Sequence, residues 1–177
     1  MLQVSLEKII GLLKEFAWSR KSNLQIILLG ALALQYYGME DRATADIDAE
    51  VKGDVEGLFN FLRSHNIPAD LGEDISGWSV IAMPPDYKER VIEIYRDEFL
   101  RISVLHPLDF IIAKLRRFTE EDIGDAVFVA RRYKIGAEEI EKKAGESIRN
   151  SPKDTALFIF RKNIAIFISK IAEGGSL

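Results

Sequence analysis

Two aspartates, Asp46 and Asp48, stand two residues apart in the stretch Ala45-Asp46-Ile47-Asp48-Ala49-Glu50-Val51. The stretch alternates with the period of a strand, placing Asp46, Asp48 and Glu50 on one face and Ile47 and Ala49 on the other. Residues i and i+2 of a strand lie about 6.5–7 Å apart at Cα, so their carboxylates can grip one divalent ion or bridge a pair. Magnesium suits such a half-built site, because it keeps water and phosphate oxygens beside one or two carboxylates. Taken alone, such a pair is more often a solvated strand face, and the upstream glycine turn is what shifts the balance.

Upstream, the apolar run Ile26-Ile27-Leu28-Leu29 stops at Gly30 and passes into a helical pattern, Ala31-Leu32-Ala33-Leu34. A strand-to-helix turn offers backbone N–H groups to phosphate, and glycine permits close approach; it is also a common purely structural turn. Neither GxxxxGK(S/T) nor GxGxxG is present, which removes a P-loop and a dinucleotide fingerprint. The third acid is Glu93, set among Val91, Ile92 and Ile94. On a strand beside Asp46 and Asp48 it would complete a three-carboxylate cluster; on an edge strand it is a surface residue.

These residues need elements to position them. Spacing predicts a helix over 5–19 with Ser5 as N-cap, a buried-type strand at 24–29 and a short helix at 31–37 ended by Gly38. Next come the acidic strand at 45–51 and a helix over 54–65 burying Val55, Leu58, Phe59 and Leu62. Strands are expected at 78–83, 90–95 and 100–105, with Val91, Glu93 and Tyr95 on one face of the second. Past His106-Pro107 the pattern turns helical, at 107–118, 120–133, 137–149 and 153–172. The expectation is an α+β fold, a mixed sheet flanked by helices over 1–105, with a helical segment over 106–177 packed on it.

The pattern Leu29-Gly30-Ala31, Arg42-x-Thr44-x-Asp46-Ile47-Asp48, then Glu93 in a Val-Ile-Glu-Ile strand, resembles the nucleotidyltransferase fold of the polymerase-beta superfamily. It is most similar to small prokaryotic minimal nucleotidyltransferases and to abortive-infection-type toxins related to them. A second block agrees: Leu105-His106-Pro107-Leu108-Asp109 to Lys114-Leu115-Arg116-Arg117, then Glu121-Asp122-Ile123-Gly124-Asp125. The resemblance spans about residues 24–133. It implies that Asp46, Asp48 and Glu93 are catalytic metal ligands for Mg²⁺ or Mn²⁺. It implies also that Gly30, Ala31, Arg42, Thr44 and Lys114 contact a nucleoside triphosphate, whose NMP passes to a protein or RNA acceptor hydroxyl.

Ala31 departs from the serine or second glycine usual in that family, and Glu93 from the commoner aspartate. Both keep a second expectation open: a catalytically degenerate binding protein of the same fold, of toxin–antitoxin type. A metal-dependent phosphoester hydrolase is disfavoured by the lack of an activating histidine nearby in sequence. Lys114 and Arg116-Arg117 also read as a solvated helix face, or as partners of Asp122 and Asp125 across two helices.

Composition bounds the rest. The chain of 177 residues has 47% hydrophobic residues, enough for a core, and a net charge of −4 that gives no general pull towards nucleic acid. It has no cysteine, excluding disulfides, thiolate metal sites and a cysteine nucleophile, and its two histidines argue against a histidine-rich zinc site. Glu7, Lys8 and Lys14 interrupt any leader-like apolar segment, and no run reaches the roughly 18–20 apolar residues of a membrane span. The expectation is a cytoplasmic protein with no membrane partner. The last helix is apolar nearly all round, from Phe158 to Ile171, which suggests a homodimer contact or a sandwiched position.

Overall fold

A computed structural model describes residues 3–174. The chain divides into two compact units. One runs to Asp74 and resumes at Val91–Leu105; the other is Ile75–Arg90 with the chain from His106 onward. Residues 75–90 thus fall in the helical unit, not in the unit that holds the sheet.

The first unit holds helix α1 (Leu6–Arg20), strand β1 (Leu24–Leu28), helix α2 (Gly30–Tyr36), strand β2 (Ile47–Lys52), helix α3 (Val55–Ser64) and strands β3 (Ala69–Gly72), β4 (Ile92–Arg96) and β5 (Leu100–Val104). The strands form one mixed sheet in the order β3-β2-β1-β5-β4. β1 pairs antiparallel with β2 and parallel with β5, so it is covered by neighbours on both edges. Cross-strand register puts Leu24, Ile26 and Leu28, Ile47, Ala49 and Val51, and Leu100, Ile102 and Val104 on one face, all of them buried. The apolar side of α1 (Ile9, Leu13, Phe16) and Leu58 and Leu62 of α3 are buried too, with Phe16 and Phe61 rings 5.3 Å apart. Phe59, expected inside, is 41% exposed: it neighbours Leu58 in sequence and turns away from the face that Leu58 and Leu62 share.

The opposite sheet face is polar. One row across it reads Glu50, Ile27, Ser103, Glu93, and the next Lys52, Gln25, Arg101, Arg96. The register of β4 shifts between Glu93 and Tyr95. The irregularity turns Tyr95 to the face of Ile92, so Glu93 and Tyr95 do not share a side as simple alternation requires. Asp97 closes the β4–β5 turn: its carboxylate accepts from the N–H groups of Phe99 and Leu100, both 2.9 Å, the Tyr95 hydroxyl (2.7 Å) and the Trp18 indole (2.9 Å).

The helical unit contains α4 (Pro107–Arg117), α5 (Glu120–Arg132), α6 (Ala137–Asn150) and α7 (Ala156–Glu173). Helix α5 starts in a capping box made by Thr119 and Asp122. The strand expected at 78–83 does not form; short 3₁₀ turns cover Ile75–Trp78 and Tyr87–Glu89 instead. Serine hydroxyls take the N–H groups that a ladder would need. Ser79 accepts from Ile81, Ser151 from Ala82 and Ser76 from Met83. Arg116 donates to the carbonyls of Ile75 and Ser76, and Arg90 forms a two-pronged pair with the buried Asp109 (3.0 and 2.9 Å). Residues 75–90 are thus stitched to helices.

In α7, Phe160, Ile164 and Phe167 are buried, while Phe158 (73% exposed), Ile159 (62%) and Ile166 (46%) are not. Among the described residues no helix is long and apolar enough to cross a membrane.

Candidate functional site

The Leu29 N–H donates to the Asp48 carbonyl (2.9 Å), extending the β1–β2 ladder by one step before the chain turns away. The turn is made by Gly30 at φ +56°, a left-handed conformation that side chains resist. A Cβ placed on Gly30 would lie 2.5 Å from Asp48 Oδ2, so any other residue here meets a strained backbone and has to move that carboxylate aside. Helix α2 follows at once, and its N-cap Leu29 contributes no side-chain bond. Ala31 sits in this first turn and is half-buried.

Asp46 lies just before β2 rather than within it, and is exposed. Thr44 fixes it: the Thr44 hydroxyl donates to Asp46 Oδ1 (2.7 Å), and the Asp46 N–H leans on the same hydroxyl oxygen (3.4 Å). Thr44, expected among nucleotide contacts, is therefore engaged with a candidate metal ligand. Arg42 is held by its backbone, its N–H donating to Met39 and its carbonyl accepting from the Gln35 side chain (2.9 Å). Asp70 of β3 is the register partner of Asp48, and Glu50, same-faced with Asp48, is buried.

Glu93 stands elsewhere. Its strand is the far edge of the sheet, with β1 and β5 between it and β2. Three strand spacings make about 14 Å, further than one aspartate and one glutamate can span through a shared ion. The expectation of a neighbouring strand is corrected by this order. Glu93 instead accepts from Arg96 (2.7 Å) and pairs with Arg101 (2.8 Å), and these bonds hold its carboxyl below the usual range. Among the described residues no three His, Cys, Asp or Glu side chains converge as a metal site. Asp46 and Asp48 do fit a Mg²⁺ that completes its shell with phosphate and water, since both are hard oxygen donors and neither is buried.

Lys114 belongs to the helical unit, where its ammonium binds Asp122 Oδ1 (3.1 Å) and Asp125 Oδ2 (2.9 Å). It ties α4 to α5, one of the three roles open in the sequence.

A family model described as a nucleotidyltransferase of unknown function, DUF6036, matches residues 5–157. The chain belongs to this nucleotidyltransferase family. No curated protein and no solved structure matches it. The match takes in the turn at Gly30 and the pair Asp46 and Asp48. In this nucleotidyltransferase-family chain, sequence reasoning passed over Gln35, the lone amide in the apolar run Ala31-Leu32-Ala33-Leu34-Gln35-Tyr36. A polar side chain inside a short apolar helix was the available signal.

Proposed function

We propose that the chain transfers a nucleoside monophosphate from a nucleoside triphosphate to a hydroxyl of a protein or RNA acceptor, with Mg²⁺ or Mn²⁺ as cofactor. The observation that carries this reading is the contact of the Gly30 turn with Asp48. A backbone turn able to receive phosphate and a carboxylate able to hold its counter-ion share one small volume.

Asp46 and Asp48 would hold the cation, which supplies neutralisation of the triphosphate charge and alignment of the reacting groups. Gly30 and Ala31 N–H groups would orient the phosphates. The acceptor oxygen bonds to the α-phosphorus, the bond from that phosphorus to the bridging oxygen breaks, pyrophosphate leaves, and the hydroxyl proton is released. Positioning and charge neutralisation carry such a reaction, and the chain needs no covalent nucleophile.

A second reading is favoured by Glu93, which is occupied by Arg96 and Arg101 away from the aspartate pair. It is a catalytically degenerate binding protein, such as a toxin–antitoxin component. One experiment separates the two: incubation with α-labelled ATP, GTP, CTP and UTP, with Mg²⁺ or Mn²⁺, followed by label transfer to lysate RNA and protein. Metal-dependent transfer lost in Asp48→Asn supports the transferase. Nucleotide binding without transfer selects the degenerate reading, and absence of binding to every nucleotide with both metals rejects the catalytic one.

A further inference from the structure

We infer that Gln35 is a positioning residue that sets the Asp46 carboxylate for metal binding, acting through residues 4–6 and Thr44; this rests on the metal role of Asp46 and Asp48 above. Gln35 lies on the last turn of α2. Its Oε1 accepts from the Leu6 N–H (2.7 Å), and its Nε2 donates to the carbonyls of Val4 (3.3 Å) and Arg42 (2.9 Å). Three of the four bonds available to an amide are thus made to backbone of two separate segments. The Val4 N–H in turn donates to the Thr44 carbonyl (2.9 Å), and the Thr44 hydroxyl donates to Asp46 Oδ1 (2.7 Å).

The segment between Gly38 and Asp46 has no helix or strand of its own. A loop of that kind orders only through ties, and each tie lost returns conformational freedom that metal binding must then remove. Gln35 clamps this loop at Arg42 and, through Val4, at Thr44. The other end of α2 is Gly30, which bears on Asp48. One seven-residue helix is therefore tied towards both aspartates, to Asp48 by the bond from the Leu29 N–H to the Asp48 carbonyl and to Asp46 through Gln35.

The test uses the full chain and Mn²⁺ alone, with free Mn²⁺ read by electron paramagnetic resonance and melting followed by circular dichroism. Gln35→Glu keeps the acceptor for Leu6 and loses the donor to Val4 and Arg42; Thr44→Val loses the hydroxyl and Thr44→Ser keeps it. Gln35→Glu and Thr44→Val are expected to weaken Mn²⁺ binding on the order of tenfold, as loss of groups that orient metal ligands does, with Thr44→Ser near wild type. Melting of the two Thr44 variants stays close to wild type, which separates positioning from general loosening. If Gln35→Glu melts lower but both it and Thr44→Val bind Mn²⁺ like wild type, Gln35 is a structural clamp and the inference is overturned while the metal reading stands. If wild type binds no more Mn²⁺ than Asp46→Asn, the metal reading fails and takes the inference with it.

Discussion

Gly30 and Asp48 are close neighbours: a single carbon added to Gly30 would stand 2.5 Å from Asp48 Oδ2. Gly30→Ala meets two separate costs there. The left-handed backbone at φ +56° costs about 1–2 kcal/mol for any residue with a Cβ, and the collision with the carboxylate adds to it. Only the second cost depends on Asp48. In a double-mutant cycle read by chemical denaturation, Gly30→Ala is therefore expected to destabilise the wild type more than the Asp48→Ala background. Additive effects would show that the carboxylate moves aside freely and that the turn does not hold it.

The two acidic positions differ in what they should do to nucleotide. Asp48→Asn is expected to abolish Mn²⁺-dependent binding of a fluorescent nucleoside triphosphate. Glu93→Gln is expected to leave that binding unchanged, because β1 and β5 separate Glu93 from β2 and two arginines occupy it. Loss of binding in Glu93→Gln would mean that the edge strand reaches the aspartates during binding.

The alternation in β2 and the apolar run of β1 put Asp48 and Gly30 on the right elements from sequence alone, since period and a breaking glycine are local signals. Strand order is not local. Nothing in the string of residues tells that β5, and not β4, lies against β1. Glu93 was misplaced for that reason. The irregularity beside Ile94 likewise defeats period-two reading, because one residue reverses every face after it. Residues 78–83 look like a strand in composition, and only serines up to 69 positions away, as with Ser151 and Ala82, decide otherwise. Thr44 was legible as part of a motif, but its role as a brace for Asp46 needed coordinates.

The β4–β5 turn gives a prediction in acid. Burial pushes the Asp97 carboxyl up, but the Tyr95 hydroxyl, the Trp18 indole and the Phe99 and Leu100 N–H groups outweigh it and bring the value from 3.8 to about 2. A folded value below the unfolded one means the ionised form stabilises the fold. That contribution is complete above about pH 4 and disappears as pH falls through about 2. Asp97→Ala should cost about 1–3 kcal/mol at neutral pH, the scale of hydrogen bonds to a charged group, and progressively less between pH 4 and pH 2. Denaturation curves at neutral pH and at pH 2.5 check it; a mutant penalty constant with pH would contradict the assignment.

Lys114 decides between a structural lock and a nucleotide contact. Its ammonium lies between Asp122 and Asp125, whose side chains are 3% and 6% exposed, and 5.5 Å from the centre of the Phe110 ring. Lys114→Met would remove the ammonium that the buried Asp122 and Asp125 share, a change expected to cost about 3–5 kcal/mol near pH 7. Burial pushes the Asp122 carboxyl up, and the Thr119 hydroxyl, Lys114 and Arg117 together bring it below its ordinary value. In the wild type this pairing contributes above the ordinary carboxylate range and fades as pH falls below it. In Lys114→Met the lowering influence of Lys114 is gone, the carboxyl rises, and protonation relieves the repulsion. The stability gap between wild type and mutant should therefore be widest at neutral pH and narrow as pH falls into and below the ordinary carboxylate range. Lys114→Arg should recover little, since a planar fork replaces a compact ammonium between two fixed acceptors. Melting scans from pH 4 to pH 8 test the lock; an unchanged melting temperature in Lys114→Met, with weaker nucleotide affinity, would assign Lys114 to the phosphate instead.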